Sequence, residues 1–186
     1  MAKFPQSLTL NTSRCHLRIV SREDAPHTMA ASRYPGFNDG MLWEPPQSEE
    51  ELLPHYLDSL KAWDSDRAYG FTIEDKDGKF IGRCAIRREQ TEGIWNLGFW
   101  THPEQQGQGY MTEAVAALLH FGFTRLGAAQ IIANHALWNK ASERVLQKNG
   151  LRFLRFLQFG FFKNGQWVEE NQHGITLDEW QMRQTS

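Results

Sequence analysis

The stretch from Trp100 to Ala114, Trp-Thr-His-Pro-Glu-Gln-Gln-Gly-Gln-Gly-Tyr-Met-Thr-Glu-Ala, limits the possible folds more than any other part of the chain. After Gly107 the sequence places Met111, Val115, Leu118, Leu119, Gly122 and Leu126 on one stripe, the pattern of a helix that faces a core. Before it, Ile94 to Trp100 reads as a strand. A helix that opens on two glycines leaves its first backbone N–H groups unpaired and uncovered, with the positive end of the helix dipole behind them. Such an end is a seat for an anion. A carboxylate or phosphate gains roughly 0.3 to 1 kcal/mol there, and several converging amides hold a diphosphate without a basic side chain.

The 186 residues suit one well-buried domain, and no repeat or linker divides them. A hydrophobic content of 40% with 7 Trp argues for a compact fold. The start, Met-Ala-Lys-Phe-Pro-Gln-Ser, lacks the apolar run of a secretory signal, and no stretch approaches membrane-spanning length. A cytoplasmic location without a membrane partner is the expectation. Cys15 and Cys84 lack metal-ligand spacing and sit in strand-like segments, so buried thiols are expected, with no disulfide and no metal. A net charge of −2 without a basic block argues against nucleic acid as a ligand.

Residues Met1 to Leu10 are polar and read as a loose segment. Cys15 to Ile19 alternates as a strand, and Ser21-Arg22-Glu23-Asp24 opens a helix to about Arg33. Tyr34 to Pro46 is too rich in Pro and Gly for regular structure. Ser48-Glu49-Glu50-Glu51 then caps a second helix, with Leu52, Leu53, Tyr56, Leu57, Leu60 and Trp63 on its apolar face. Asp77-Gly78 marks a two-residue hairpin between strands Ala68 to Glu74 and Lys79 to Arg87. Gln130 to His135 reads as a strand parallel to Ile94–Trp100, because a full helical crossover separates them. Asn139 to Gly150 is a short helix with its own N-cap and stop, and Asn164-Gly165 turns a last hairpin.

Gln106-Gly107-Gln108-Gly109-Tyr110-Met111 resembles the Gln/Arg-x-x-Gly-x-Gly/Ala acetyl-CoA signature of the GNAT superfamily of N-acetyltransferases. Gln106 and Gly109 match it, and Met111 departs from it. With Gly-Tyr-Met-Thr-Glu-Ala, Asn139-Lys140-Ala141-Ser142 and Lys148-Asn149-Gly150-Leu151, the chain resembles the branch containing ribosomal-protein N-terminal alanine acetyltransferases, from about Thr12 to Trp180. The resemblance implies an α+β fold: a central mixed, mostly antiparallel sheet with a splayed parallel strand pair and helices on both faces. It implies acetyl-CoA held by Phe99, Trp100, Thr101, Gln106, Gly107, Gln108, Gly109, Tyr110, Met111, Thr112, Asn139 and Ser142. It further implies an acceptor pocket shaped by the first two helices and their linking loop, with Phe37, Trp43 and Glu44 as candidate contacts, and His173 on the last hairpin is a further substrate-side candidate. The alternative for Phe37 and Trp43 is that they plug the loop onto the core.

Acetyl transfer to an amine needs a neutral nucleophile, a polarised thioester carbonyl and a proton for the departing thiolate. An α-amine with pKa near 8 loses its proton at pH 7 for about 1.4 kcal/mol, whereas lysine needs roughly 4.6. A weak or remote base therefore suffices for N-termini. In relatives the strand before the loop often carries a Glu where this chain has Asn96, which cannot act as a base. Glu169, His173 and His135 remain as candidate proton acceptors, and Ser142 as donor to the thiol. The expectation is direct transfer from acetyl-CoA to a primary amine, either a protein N-terminus or a small amine, by a monomer or homodimer. The rival outside enzymology is a non-catalytic acyl-CoA-binding module.

Overall fold

The computed structural model describes residues 3–185. Eight strands form one sheet: β1 (Leu10–Asn11), β2 (Cys15–Ile19), β3 (Ala68–Asp75), β4 (Phe80–Arg88), β5 (Ile94–Thr101), β6 (Gln130–Ala136), β7 (Arg152–Lys163) and β8 (Gln166–Thr176). They lie in the order β1-β2-β3-β4-β5-β6-β8-β7. Among the described residues only β5 and β6 run parallel, as the helical crossover between them requires. The helices are α1 (Ala25–Ser32), α2 (Leu53–Asp64), α3 (Tyr110–Phe121), α4 (Lys140–Lys148) and α5 (Leu177–Gln184). Among the described residues no helix is long and apolar enough to cross a membrane.

The stripe read from the sequence is the core side of α3, which continues into a wider turn over Gly122–Leu126. Met111, Val115, Leu118 and Leu119 pack on Leu17, Phe71, Ile73, Ile86, Leu97 and Ile131 from alternate positions of β2 to β6. Gly122 sits so close to the sheet that a Cβ would stand 2.6 Å from Ile131 Cδ1 and 2.9 Å from Ile86 Cδ1. Trp63, Tyr69, Phe71 and Phe121 meet edge to face at centroid separations of 4.9 to 6.0 Å. A smaller cluster, Val20, Ala25, Met29, Leu52 and Tyr56, holds α1 and α2 together.

Four expectations change. The N-terminal segment is held rather than loose: Phe4 is buried against Phe121, and its carbonyl accepts from Trp63 Nε1 at 2.9 Å. Residues 1 and 2 of that segment lie outside the described residues. Leu57 is 56% exposed, because the buried side of α2 is a narrow line through Leu52, Tyr56 and Trp63. The turn at Asp77-Gly78 is a three-residue loop, with Asp75 N bonded to Lys79 O and Gly78 at φ +81°. Asp75 Oδ1 accepts from the Asp77 and Lys79 amides and favours that longer turn. Finally, the chain adds α5, which the sequence reading does not contain; Thr176 and Glu179 form its capping box, and Trp180 packs on Phe123.

Other local signals translate directly. Asn139 caps α4 by accepting from Ser142 N at 3.1 Å. Gly150 ends it at φ +84°, with Gly150 N bonded to Gln147 O and Leu151 N to Leu146 O, a Schellman closure. Asn164 and Gly165 both take positive φ in the β7–β8 turn. Cys15 and Cys84 are free and buried.

One buried polar junction fixes α1 to the sheet. Asp24 is 1% exposed and accepts from Arg18 Nη2 at 2.7 Å, Thr72 Oγ1 at 2.6 Å and Ser21 N at 2.9 Å. Burial alone would raise its pKa, but the bonds from Arg18, Thr72 and Ser21 outweigh it and hold the carboxyl below its ordinary value. A depressed folded pKa means that this stabilisation is complete above the unfolded carboxyl's pKa and disappears as pH falls through the folded one. Asp24→Asn is expected to cost about 3 kcal/mol in urea unfolding at pH 7, and the difference from the parent is expected to shrink in acid.

Candidate active site

The parallel ladder between β5 and β6 lasts four positions, from Ile94 opposite Gln130 to Leu97 opposite Ala133. Beyond it the two strands separate. β5 stays on β4 as far as Thr101 opposite Gly82, and β6 stays on β8 as far as Ala136 opposite Glu170. The facing edges of Gly98–Thr101 and Asn134–Ala136 are therefore unpaired with each other, and a cleft opens between them.

Two cavities meet at this opening and share Gly40, Met41, Phe99 and Trp100 in their walls. The smaller, about 390 Å³, runs from β5 past the start of α3 and along α4. Gly107 and Gly109 adopt φ +75° and +81°, and a Cβ at Gly107 would meet nothing within 4 Å. No side chain caps α3, so its first amides open directly into this cavity. Arg14, which sequence reasoning missed, braces the loop: its Nη1 donates to Gln108 O at 3.0 Å and its Nε pairs with Glu113 at 2.9 Å. Arg144 and Lys148 add cations from α4 to the same wall. The signal for them was their spacing of four on a helix that starts at Asn139. A groove of bare amides, unpaired strand edge and a cationic flank fits a pyrophosphate carrying a linear amide arm.

The larger cavity, about 980 Å³, lies on the face of the sheet covered by α1 and α2. Its floor includes Gly70, Ala85 and Gly98, which are neighbours across β3, β4 and β5. Its roof is the segment after α1. Phe37 and Trp43 meet Trp100 at centroid distances of 5.3 and 6.4 Å, so they both anchor that segment and line the cleft. Lys163 holds the roof from the far hairpin, its Nζ donating to Met41 O at 2.7 Å and Trp43 O at 3.2 Å.

Of the residues named from the sequence, Phe99, Trp100, Thr101, Gln106, Gly107, Gly109, Tyr110, Met111, Thr112, Asn139 and Ser142 all line the smaller cavity. Met111 does so although its side chain is 5% exposed and belongs to the core. Gln108 does not line it; its carbonyl is turned to Arg14. Glu44 lies outside both cavities and pairs with Lys163 at 3.4 Å.

Three further candidates lie away from both cavities for one reason, the alternation of side chains along a strand. Glu169 is exposed and lines neither cavity, whereas its neighbour Glu170 is half-buried in the wall of the larger one. Burial raises the Glu170 pKa, only partly offset by a hydrogen bond from Asn134. His135 and His173 are buried on the opposite side of β6 and β8, with ring centroids 5.0 Å apart, and line neither cavity. His135 Nδ1 donates to Ala136 O at 2.9 Å, which fixes that tautomer, and burial beside His135 pulls His173 below its ordinary pKa. With Glu143 they form, among the described residues, the one group of three whose donor atoms lie within 4.8 Å of each other and have divalent-metal ligand chemistry. Glu143 is already engaged by Lys140 at 2.9 Å.

A sequence profile described as an acetyltransferase (GNAT) domain matches residues 14–152. The chain is 25% identical over 181 residues to the [Ribosomal protein uS5]-alanine N-acetyltransferase of Escherichia coli (strain K12), with 92% of each chain covered. It is 24% identical over 186 residues to the FsC-acetyl coenzyme A-N(2)-transacetylase of Aspergillus fumigatus, covering 92% of this chain and 77% of that one. In three dimensions it resembles RimL, a ribosomal L7/L12 alpha-N-protein acetyltransferase solved with coenzyme A bound as a disulfide to a cysteine. That match has a TM-score of 0.83 and 18% identity and covers 92% and 99% of the two chains. With the glycine loop, the parted strands and a profile that spans most of its length, the chain belongs to the GNAT acetyltransferase family.

Proposed function

We propose that this acetyltransferase moves an acetyl group from acetyl-CoA directly to the neutral amine of an acceptor lying in the larger cavity, with a protein N-terminal α-amine as the first choice. The observation that carries the reading is the parting of β5 from β6 beside the uncapped start of α3. Gly107, Gly109, Tyr110 and Thr112 would hold the diphosphate, and the free edge of Phe99 to Thr101 would hold the pantetheine amides. When bound, the coenzyme supplies an activated acetyl thioester.

The protein's part is to orient the amine, hold its proton and supply one to the sulfur. Glu170, poised above an ordinary glutamate's pKa and facing the acceptor side, is the proton acceptor in this reading. An α-amine needs only about 1.4 kcal/mol to become neutral at pH 7, so one carboxylate, direct or through a water, is enough. Ser142, in the first turn of α4 on the coenzyme side, is the proton donor. Its backbone is fixed by Asn139, so the hydroxyl starts from a rigid helix turn. A small amine is the second reading, favoured by a cavity of about 980 Å³, which is small-molecule size.

Coenzyme A at a hundredfold excess over its dissociation constant is expected to stabilise the fold by about 2.7 kcal/mol, seen as a raised melting temperature. An unmoved melting curve at millimolar coenzyme would remove both the enzyme and the binding-module readings. Thiol release on a panel of N-terminal peptides and small amines is expected to find an acceptor. Ser142→Ala should then lower kcat on the order of a hundredfold with little change in coenzyme affinity. Glu170→Gln is expected to lower kcat by a similar factor. It should also erase the acidic limb of the pH profile, which in the parent falls away as pH drops through a carboxyl value above 4.5. Retention of that limb in the variant would assign the base elsewhere.

A further inference from the structure

The larger cavity carries a charge arrangement that acetyl transfer alone does not require. Arg83 and Arg87 project from alternate positions of β4 on either side of Ala85, into the cavity walled at its other end by Glu170. Register places Arg83 opposite Thr72 and Trp100, on the face that carries the floor glycines. Neither guanidinium has a hydrogen bond or an ion pair to a side chain among the described residues. Arg83 lies over the Tyr56 ring, 5.2 Å from its centroid, and the Asp24 charge acts on it from a distance. Arg87 lies across the bare Gly98, where a Cβ would stand 2.8 Å from its Nη2.

The other candidate partners are engaged. Asp24, the nearest buried carboxylate on that face, spends its oxygens on Arg18, Thr72 and Ser21. Asp58 is exposed and faces Lys61 at 3.8 Å. Burial lowers the Arg83 pKa, the sign of a guanidinium taken out of water without full compensation. A half-buried guanidinium left in that state is costly, and a planar anion that takes two of its N–H groups relieves the cost. Three strand spacings, roughly 14 Å where the sheet is paired and more where β5 and β6 have parted, separate β4 from β8, and the long arginine and glutamate side chains close in from the two ends. The opening between β5 and β6 lies between them.

We propose that the acceptor carries an anionic group, a carboxylate by preference, which Arg83 binds with help from Arg87 while its amine is presented toward Glu170 and the opening between β5 and β6. This inference rests on the acetyl-transfer reading and adds the acceptor's second functional group. The carboxylate has two sources, the free carboxyl of a small amino acid or an acidic side chain near a protein N-terminus, and both present the same chemistry to Arg83. No bond is made or broken at the arginine end; Arg83 is a specificity residue.

The test is thiol release at saturating acetyl-CoA on acceptor pairs that differ only in carboxylate against carboxamide. One arm pairs free amino acids with their amides, and the other pairs N-terminal hexapeptides with Asp against Asn at the second position. The carboxylate member is expected to win by about ten- to a hundredfold in kcat/KM in one arm, which identifies the source. Arg83→Gln should collapse the ratio to within about threefold, mainly through KM, Arg83→Lys should keep part of it, and Arg87→Gln should reduce it less. Glu170→Gln, by contrast, should lower kcat for both members and leave the ratio intact. The melting-temperature rise with coenzyme A in each variant shows that fold and coenzyme site survive. Equal use of carboxamides, a ratio untouched by Arg83→Gln, or no release from any carboxylate member by protein that still binds coenzyme A, each overturns the proposal. Loss of the coenzyme response in the parent protein defeats the acetyl-transfer reading itself, and the inference falls with it.

Discussion

The parallel pairing of β5 and β6 stops after four positions, while each strand keeps its other neighbour for several residues more. That mismatch is what the site depends on. Backbone N–H and C=O groups need partners, and two strands that diverge under the pull of separate outer ladders leave a set of them without one. β5 is held to β4 as far as Gly82, where a Cβ would overlap the Trp100 carbonyl, so only glycine lets the two backbones approach that closely. β6 is held to β8 through seven pairs ending at Glu170. The wedge is thus a result of the sheet's own bonding, and the uncapped start of α3 stands beside it because the crossover from β5 begins there.

The two sides of the sheet divide the work. On one side Met111, Val115, Leu118 and Leu119 lock α3 onto the strands, which fixes the direction of its exposed amides. On the other, Gly70, Ala85 and Gly98 leave the floor low enough for a ligand, and charged side chains stand among the apolar ones. Substitutions on the first side act on stability and on the coenzyme loop together. Substitutions on the second would leave the core untouched and act on the acceptor site proposed above.

What the sequence disclosed and what it withheld follow from the range of the forces involved. The α3 stripe, the Asn139 and Gly150 ends of α4 and the Asn164-Gly165 turn are local signals, and the structure reproduces them. The parallel relation of β5 to β6 also follows from chain order, since a helix lies between them. The GNAT resemblance carried the rest of the fold. The side of a strand is a different matter, because a one-residue error inverts it. Glu170 faces the larger cavity where the sequence points to Glu169, and the strands of His135 and His173 turn them to the other side of the sheet. Arg14 at the glycine loop and Lys163 at the roof act across 94 and 122 residues of sequence, distances at which no local pattern reports. Phe4, apparently in a polar tail, is held by a tryptophan 59 residues away.

The two cysteines acquire significance from the chemistry proposed. Every turnover would liberate coenzyme A with a free sulfhydryl, and a reactive protein thiolate within reach would be open to capture as a mixed disulfide under oxidising stress. Cys15 and Cys84 are buried, and that burial raises both their pKa values, which leaves almost no thiolate at neutral pH. The catalyst is thereby shielded from poisoning by its own product.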